Sequence, residues 1–187
     1  MDRVLASERF YRMVWPHRAS VLRLARILSR EDGEDLAQET LLKAFAAIER
    51  LEEGANALPW LAAILRNARI DRLRKGRPEA RDVALSELGM ELAENEAAAE
   101  VAGEWERPEE LLEAFSDQQV IDALAELPEE IRWTLLLVEV QGMDQAEAAK
   151  ILEVPVGTIK SRAHRGRAML RESLRELAKD RGWMGRD

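Results

Sequence analysis

Cysteine is absent from this chain of 187 residues, which removes disulfide frameworks, Cys-based zinc sites and thiol catalysis. Histidine is nearly absent, and His17 and His164 lie in different segments, so no metal site is expected. Aromatic residues make up only 5 % of the chain. No apolar stretch approaches the roughly 18 residues needed to span a bilayer. The opening Met1-Asp2-Arg3-Val4 shows no basic region followed by an apolar run, so no signal peptide is expected and the chain reads as a soluble, cytoplasmic protein. Strand signals are scarce, with no Asn-Gly or Asp-Gly hairpin turn. There is no Gly-rich phosphate loop and no nucleophile paired with a histidine, so neither an enzyme nor a cofactor is expected.

What is present is a helical vocabulary of Ala, Leu, Glu and Arg, with 47 % hydrophobic and 34 % charged residues. The net charge of −8 is unevenly spread. Residues 1–78 carry 15 basic and 11 acidic side chains, residues 79–118 carry 2 and 13, and residues 119–187 carry 11 and 12. The acidity therefore belongs to the middle block, and a low overall pI does not argue against nucleic acid as a partner. That block is poor in bulky apolar residues and reads as a solvated connector. The expected fold is all-α: two small helical domains, 1–78 and 119–187, joined by an acidic linker over 79–118.

In the first block a helical region is expected from about Leu5 to Ser29, with Val21, Leu24, Ala25 and Leu28 on one face and a kink or restart at Pro16. A second helix, about Gly33 to Leu51, is expected to bury Leu41, Phe45 and Ile48. Asp35, Gln38 and Glu39 share its other side, where an ordinary solvated face and a docking face are both compatible with the spacing. A third helix is expected from Pro59 to about Lys75, buried through Leu61, Ile64, Leu65 and Ala68. Trp60, Asn67, Asp71 and Arg74 fall on a different stripe. Arg66, Arg69, Arg72, Arg74, Lys75 and Arg77 place six cations in twelve residues against the single acid Asp71. Such a helix is either a basic surface helix with a core tryptophan, or one whose cations meet phosphates while Asn67 reads a base edge and Trp60 stacks on an unpaired base.

In the last block, Val120, Ile121, Leu124 and Leu127 lead to Pro128, then Ile131, Leu135 and Val138 to Gly142. A helix from Asp144 to Leu152, the short turn Glu153-Val154-Pro155 and a final helix from Val156 have the spacing of a DNA-binding helix-turn-helix. Val156, Ile159, Ala163, Leu170, Leu174 and Leu177 are expected inward. Thr158, Ser161, Arg162 and Arg165 are expected outward, flanked by Lys160 and His164, in a stretch with five cations and no acid between Val156 and Arg171. Arg and Lys suit guanine edges or phosphates there.

Together these motifs resemble the bacterial extracytoplasmic-function (ECF) sigma factors of RNA polymerase. The resemblance is carried by Glu34-Asp35-Leu36-Ala37-Gln38-Glu39-Thr40, by Pro59-Trp60-Leu61 through Asn67, Asp71 and Arg77, and by Leu127-Pro128-Glu129, Gly142 and Val154 through Arg162. It implies that Asp35, Gln38 and Glu39 dock on the clamp coiled coil of the polymerase beta-prime subunit, with the beta subunit as a further contact of core RNA polymerase. It implies minus-10 promoter contacts by Trp60, Arg66, Asn67, Arg69, Asp71 and Arg74. It implies minus-35 contacts by Thr158, Lys160, Ser161, Arg162, His164 and Arg165. An anti-sigma factor, often membrane-tethered, is the implied regulator, and the free chain is expected to be a monomer. A sigma-like decoy that sequesters an anti-sigma factor, or a stand-alone helix-turn-helix regulator, are the alternatives. The second of these leaves the Asp35 and Trp60 motifs without purpose.

Overall fold

A computed structural model describes residues 3–76 and 117–180. Most of the acidic connector, and Arg77 with it, lies outside the described residues. Those described are helical, joined by short turns, with no strand among them.

Helix α1 (Arg3–Met13) stops before Pro16, which sits in a single 3₁₀ turn, Trp15–His17, and α2 follows over Arg18–Leu28. The expected kink is thus a full break, because proline offers no N–H to continue the ladder. Helix α2 buries Val21, Leu24, Ala25, Ile27 and Leu28. Helix α3 (Gly33–Ala46) carries Glu34 and Asp35 in its first turn, where carboxylates face the positive end of the helix dipole. A Cβ on Gly33 would stand 2.7 Å from Arg26 Cα, so glycine is what lets α3 start against the backbone of α2.

The buried stripe of α3 differs from the expected one. Leu36, Ala37, Thr40 and Ala44 point inward, whereas Leu41 and Phe45 are half-buried. Small residues on the inner stripe allow close approach to α2 and α4, and Thr40 satisfies its hydroxyl by donating to Leu36 O at 2.8 Å. Ile48 is buried as expected, but from a separate 3₁₀ turn, Ile48–Arg50. Helix α4 (Ala57–Gly76) begins two residues ahead of Pro59, capped by Asn56, whose side-chain oxygen accepts from Leu58 N at 3.1 Å. Leu61, Ala62, Leu65 and Ala68 form its buried stripe.

The second part comprises α5 (Asp117–Glu126), α6 (Glu129–Leu135) running into wider π-type turns over Leu136–Val140, α7 (Gln145–Leu152) and α8 (Val156–Asp180). Helix α6 with its extension is the hub, burying Ile131, Trp133, Thr134, Leu135, Leu136 and Leu137. Gly142, at φ +65°, turns the chain toward α7 in a conformation that glycine adopts without strain. Asp144 caps α7 by accepting from Glu147 N at 2.8 Å. Helix α8 crosses α6 at Gly166, where a Cβ would lie 2.7 Å from Ile131 Cγ2 and 2.9 Å from Leu135 Cδ1.

The two parts are not separated by solvent. Helix α4 lies against α7, and α2 lies against α5 and α6. One hydrophobic cluster runs from Leu24, Leu36 and Leu65 through to Leu135, Leu152 and Ile159.

Candidate functional site

Three helical faces carry the residues singled out from the sequence. On α3, Asp35 and Gln38 are exposed, and Leu42, one turn further along the same side, is the most exposed large hydrophobic residue described, at 71 %. Glu39 is different. It is half-buried and pairs with Lys43 at 2.9 Å and with Arg72 of α4 at 2.8 Å. Its hydrogen bond from Lys43, and then that from Arg72, hold its carboxyl below the usual glutamate range.

Glu39 belongs to a network that ties α3 to α4. Arg72 reaches both Glu39 and Asp32, each at 2.8 Å. Asp32 accepts from the Ser29 hydroxyl, the largest cause of a carboxyl pKa below the ordinary aspartate value. Lys43 also bonds Asp71 at 3.2 Å, so Asp71 is occupied within the N-terminal part. Arg72, Asp32 and Lys43 were not among the expected site residues. For Lys43 the sequence signal was its i,i+4 spacing from Glu39 on the same helix; for Arg72 and Asp32 it was only opposite charge in separate segments, which names no partner.

On α4, Asn67 and Arg74 are exposed on the outer stripe and Trp60 is half-buried against the core. Arg66 and Arg69 are turned elsewhere. Arg66 is 8 % exposed, with Nη2 donating to Leu152 O at 3.4 Å and Nη1 at 3.3 Å from Glu153, both at the C-terminal end of α7. Arg69 lies 3.5 Å from Glu129 and donates to Ser29 Oγ at 3.4 Å. The expected minus-10 set is therefore split: Asn67 and Arg74 face solvent, Trp60 is partly core, Asp71 is ion-paired, and Arg66 and Arg69 face the C-terminal part.

Helix α8 follows the helix-turn-helix expectation with three corrections. The turn passes through Glu153 at φ +58°, and Lys160, Ser161, His164 and Arg165 are all exposed. Thr158, expected outward, is 5 % exposed. It precedes Ile159 by about 100° on the helix and falls on the inner arc with Ala163 and Gly166. Arg162 is also half-buried, on the side of α6; burial pulls its guanidinium below its ordinary pKa, and Glu130 opposes that effect. Val156, expected inward, is 40 % exposed because the helix begins there, before the arc meets α6. The early amides of α8 and its exposed Lys160, Ser161, His164 and Arg165 form a surface suited to phosphates and base edges.

Comparison with known proteins identifies the two parts that carry these faces. A family model described as Sigma-70 region 2 matches residues 13–79, and one described as Sigma-70, region 4 matches residues 117–170. The two matches thus define a sigma-70-type factor, a class of DNA-binding transcription initiation factors. The ECF RNA polymerase sigma factor SigW of Bacillus subtilis is 31 % identical over 150 residues, covering 78 % of this chain and 77 % of SigW. The ECF RNA polymerase sigma-E factor of Haemophilus influenzae is 30 % identical over 157 residues, covering 82 % and 80 %. The solved sigma factor RpoE of Bartonella quintana, in complex with the anti-sigma factor NepR, matches with a TM-score of 0.65 at 30 % identity over 89 % of this chain and 96 % of RpoE. The chain belongs to the ECF family of RNA polymerase sigma factors.

Proposed function

We infer that this ECF sigma factor binds core RNA polymerase through α3, reads a minus-10 element with α4 and a minus-35 element with α8, and so starts transcription at a restricted set of promoters. The observation that carries the reading is the pairing of the two matched sigma regions with an exposed polar face on α8 at the second helix of a helix-turn-helix. Residues 1–78 and 119–187 are read as the two working domains and 79–118 as the connector between them.

On α3, Asp35 and Gln38 are the polar contacts offered to the beta-prime clamp, with Glu39 acting through its ion pairs as well as directly. On α4, Asn67 is placed to meet an unpaired base, with Arg74 on neighbouring phosphate. On α8, Lys160, Ser161, His164 and Arg165 make the duplex contacts, while Thr158 and Arg162 set the helix on its neighbours. No cofactor or small-molecule substrate enters this scheme, and the place of action is the cytoplasm. Since RpoE was solved with an anti-sigma factor, an anti-sigma protein that covers these faces is the proposed regulator here too.

Gel filtration with core RNA polymerase tests the reading. The chain should co-migrate with polymerase, and Asp35→Ala/Gln38→Ala should weaken that co-migration while changing the melting temperature little, Asp35 giving up only its favourable place at the helix N-terminus. A folded chain that never co-migrates would overturn the reading and leave the anti-sigma decoy or the stand-alone regulator.

A further inference from the structure

Helix α1 grips the chain just ahead of α4 through two arginines. Arg9 donates from Nη2 to the main-chain carbonyl of Leu51, and its Nη1 lies 3.7 Å from the Glu53 carboxylate. Arg12, one turn along the same side of α1, donates to Glu53 as well. The side chain of Arg9 is the more enclosed, 22 % exposed against 65 % for Arg12, and its Nε is buried without a partner. An exposed pair such as Arg12–Glu53 adds little stability, and an unpartnered buried N–H costs some. What the contacts do fix is the position of a loop.

That loop is built to hold one shape. Leu51 is buried and residues 52–56 are exposed. The Glu52 carbonyl accepts from Ala55 N at 3.2 Å across a turn whose third residue, Gly54, has the positive φ (+76°) that a type II turn requires. Asn56 then caps α4. The middle of the loop is thus closed by its own hydrogen bond, its exit is tied by Asn56, and its entrance is tied by Arg9.

The loop also lies at the end of a path along α4. Asn56, Trp60, Asn67 and Arg74 follow one another at intervals of 4, 7 and 7 residues, which keeps them on one side of a helix. A strand lying on Arg74 and Asn67 and continued toward the start of α4 reaches Asn56 and the loop roughly 16 Å beyond Asn67. Two carboxylates border this path, and each is held by a cation from an earlier helix. Asp71 is held by Lys43 of α3 at 3.2 Å, and Glu53 by Arg9 and Arg12 of α1. A carboxylate left free beside a phosphodiester strand would repel it.

We propose that Arg9 and Arg12 are positioning residues for minus-10 recognition: from α1 they hold Leu51 and Glu53 so that residues 51–56 form a fixed end wall to the strand-reading surface of α4. The inference rests on the reading of α4 as the minus-10 helix and adds to it a part of the chain outside α4. Neither arginine touches the strand. Arg9 sets how the loop stands against Asn56 and Trp60, and Arg12 keeps the Glu53 carboxylate turned toward α1 and away from phosphates. The base at the end of the path is the one whose choice depends on them. A displaced wall admits other bases there, since recognition needs groups held within about 0.5 Å of their place.

The test uses the full chain bound to core RNA polymerase and a pool of DNA in which a duplex runs into a short randomised single-stranded segment. Sequencing the bound fraction gives the base preference at each position. The parent should select bases at several positions. Arg9→Met keeps the aliphatic stem and removes the guanidinium; it should lower the preference several-fold at one end of the selected tract and leave the other positions as in the parent. Arg9→Lys, which restores a cationic donor, should recover part of that preference. Glu53→Ala, at an exposed site, should give the same position-specific loss to a smaller extent. Arg23→Met removes the same charge as Arg9→Met from the exposed side of α2 and should leave every preference unchanged.

An Arg9→Met chain that melts earlier but keeps every preference would make Arg9 structural only and overturn the proposal. An even loss over all positions, or the same loss from Arg23→Met, would overturn it too. Should Arg9→Met fail to fold, Glu53→Ala carries the test, and an unchanged preference there overturns the proposal. A parent that fails to bind polymerase, or binds it and selects no base, overturns the minus-10 reading and the proposal together. A parent that selects, with variants that select alike, overturns the proposal alone.

Discussion

Helices α4 and α8 are both long and both rich in arginine, yet the cations in the middle of α4 and those on the outer arc of the first half of α8 lie in opposite surroundings. On α4, Arg66 faces Glu153, Arg69 faces Glu129, and Arg72 faces Asp32 and Glu39. On α8, Lys160, His164 and Arg165 are exposed. Position in the fold accounts for the contrast. Helix α4 has α2 and α3 on one side and α7 on the other, so the arcs that carry Arg66, Arg69 and Arg72 meet protein and the stripe of Asn67 and Arg74 stays in water, whereas the first half of α8 rests on α6 and α7 and keeps an outer arc in water. A basic helix is thus a DNA-binding helix only along the arc its neighbours leave uncovered.

The largest effect that tests this contrast is a core truncation. Leu65→Ala removes a fully buried side chain of α4 and should cost about 2–5 kcal/mol. Because the hydrophobic cluster crosses from one part to the other, thermal unfolding of the full chain should stay a single transition at a lower midpoint. Two resolved transitions would show that the parts melt independently and that α4 is less enclosed than its contacts indicate.

The two helix-crossing glycines sharpen the comparison at the next level. Gly33→Ala puts a Cβ against the backbone of Arg26, which cannot turn aside, and should destabilise by about 1–3 kcal/mol. Gly166→Ala meets side-chain atoms of Ile131 and Leu135 and no backbone, and replacing a mid-helix glycine returns about 1 kcal/mol of helix propensity. Its net loss, read from denaturant midpoints, should therefore be the smaller.

Arginine substitutions should separate into two kinds. Arg165→Ala should leave stability within about 0.5 kcal/mol of the parent and weaken minus-35 binding by about 1–3 kcal/mol if it reads a base, with relaxed preference at that position. Arg66→Ala should instead lower the melting temperature of the free chain, since it leaves Glu153 and the end of α7 without their cation. An Arg66→Ala chain as stable as the parent would break the contrast between the helices.

The smallest expected effect is in acid. Asp32, held below its ordinary range mainly by the Ser29 hydroxyl, and Glu39, held below its own mainly by Lys43, with Arg72 adding to both, contribute stability that is complete above those ordinary values. That contribution fades as the pH falls from about 4 through the depressed values. Both carboxylates are partly solvated, which keeps the effect small. Arg72→Leu should partly flatten this stretch of a melting-temperature-against-pH curve, and an unchanged slope would remove Arg72 as a contributor to it.

Much of the local structure was legible in residue order alone. Pro16 marked a break, the repeat of Leu61, Leu65 and Ala68 marked the inner side of α4, and Glu153-Val154-Pro155 marked the turn of the helix-turn-helix. The outer face of α8 was legible except at its edges, where Thr158 and Arg162 sit close to the boundary between arcs. A boundary moves with the exact orientation of a helix on its neighbours, and periodicity does not contain that orientation. The inner stripe of α3 was misplaced for a related reason: Leu41 and Phe45 are the bulkier residues, but close helix approach favoured Ala37, Thr40 and Ala44.

Residue order thus settled roughly where the helices lie and, on α2 and α4, most of the side chains that share a buried face, because hydrogen bonding, capping and proline sterics act over a few residues, although α3 ends at Ala46 instead of near Leu51 and α4 starts at Ala57 instead of Pro59. Which face meets which neighbour was settled by contacts between residues far apart in the chain. Arg66 and Glu153 are separated by 87 positions, and nothing in the spacing of either one names the other. Their pairing exists because burying Leu65 and Leu152 in one cluster brings α4 and α7 together, and the polar groups along that seam then have to find partners with each other instead of with water.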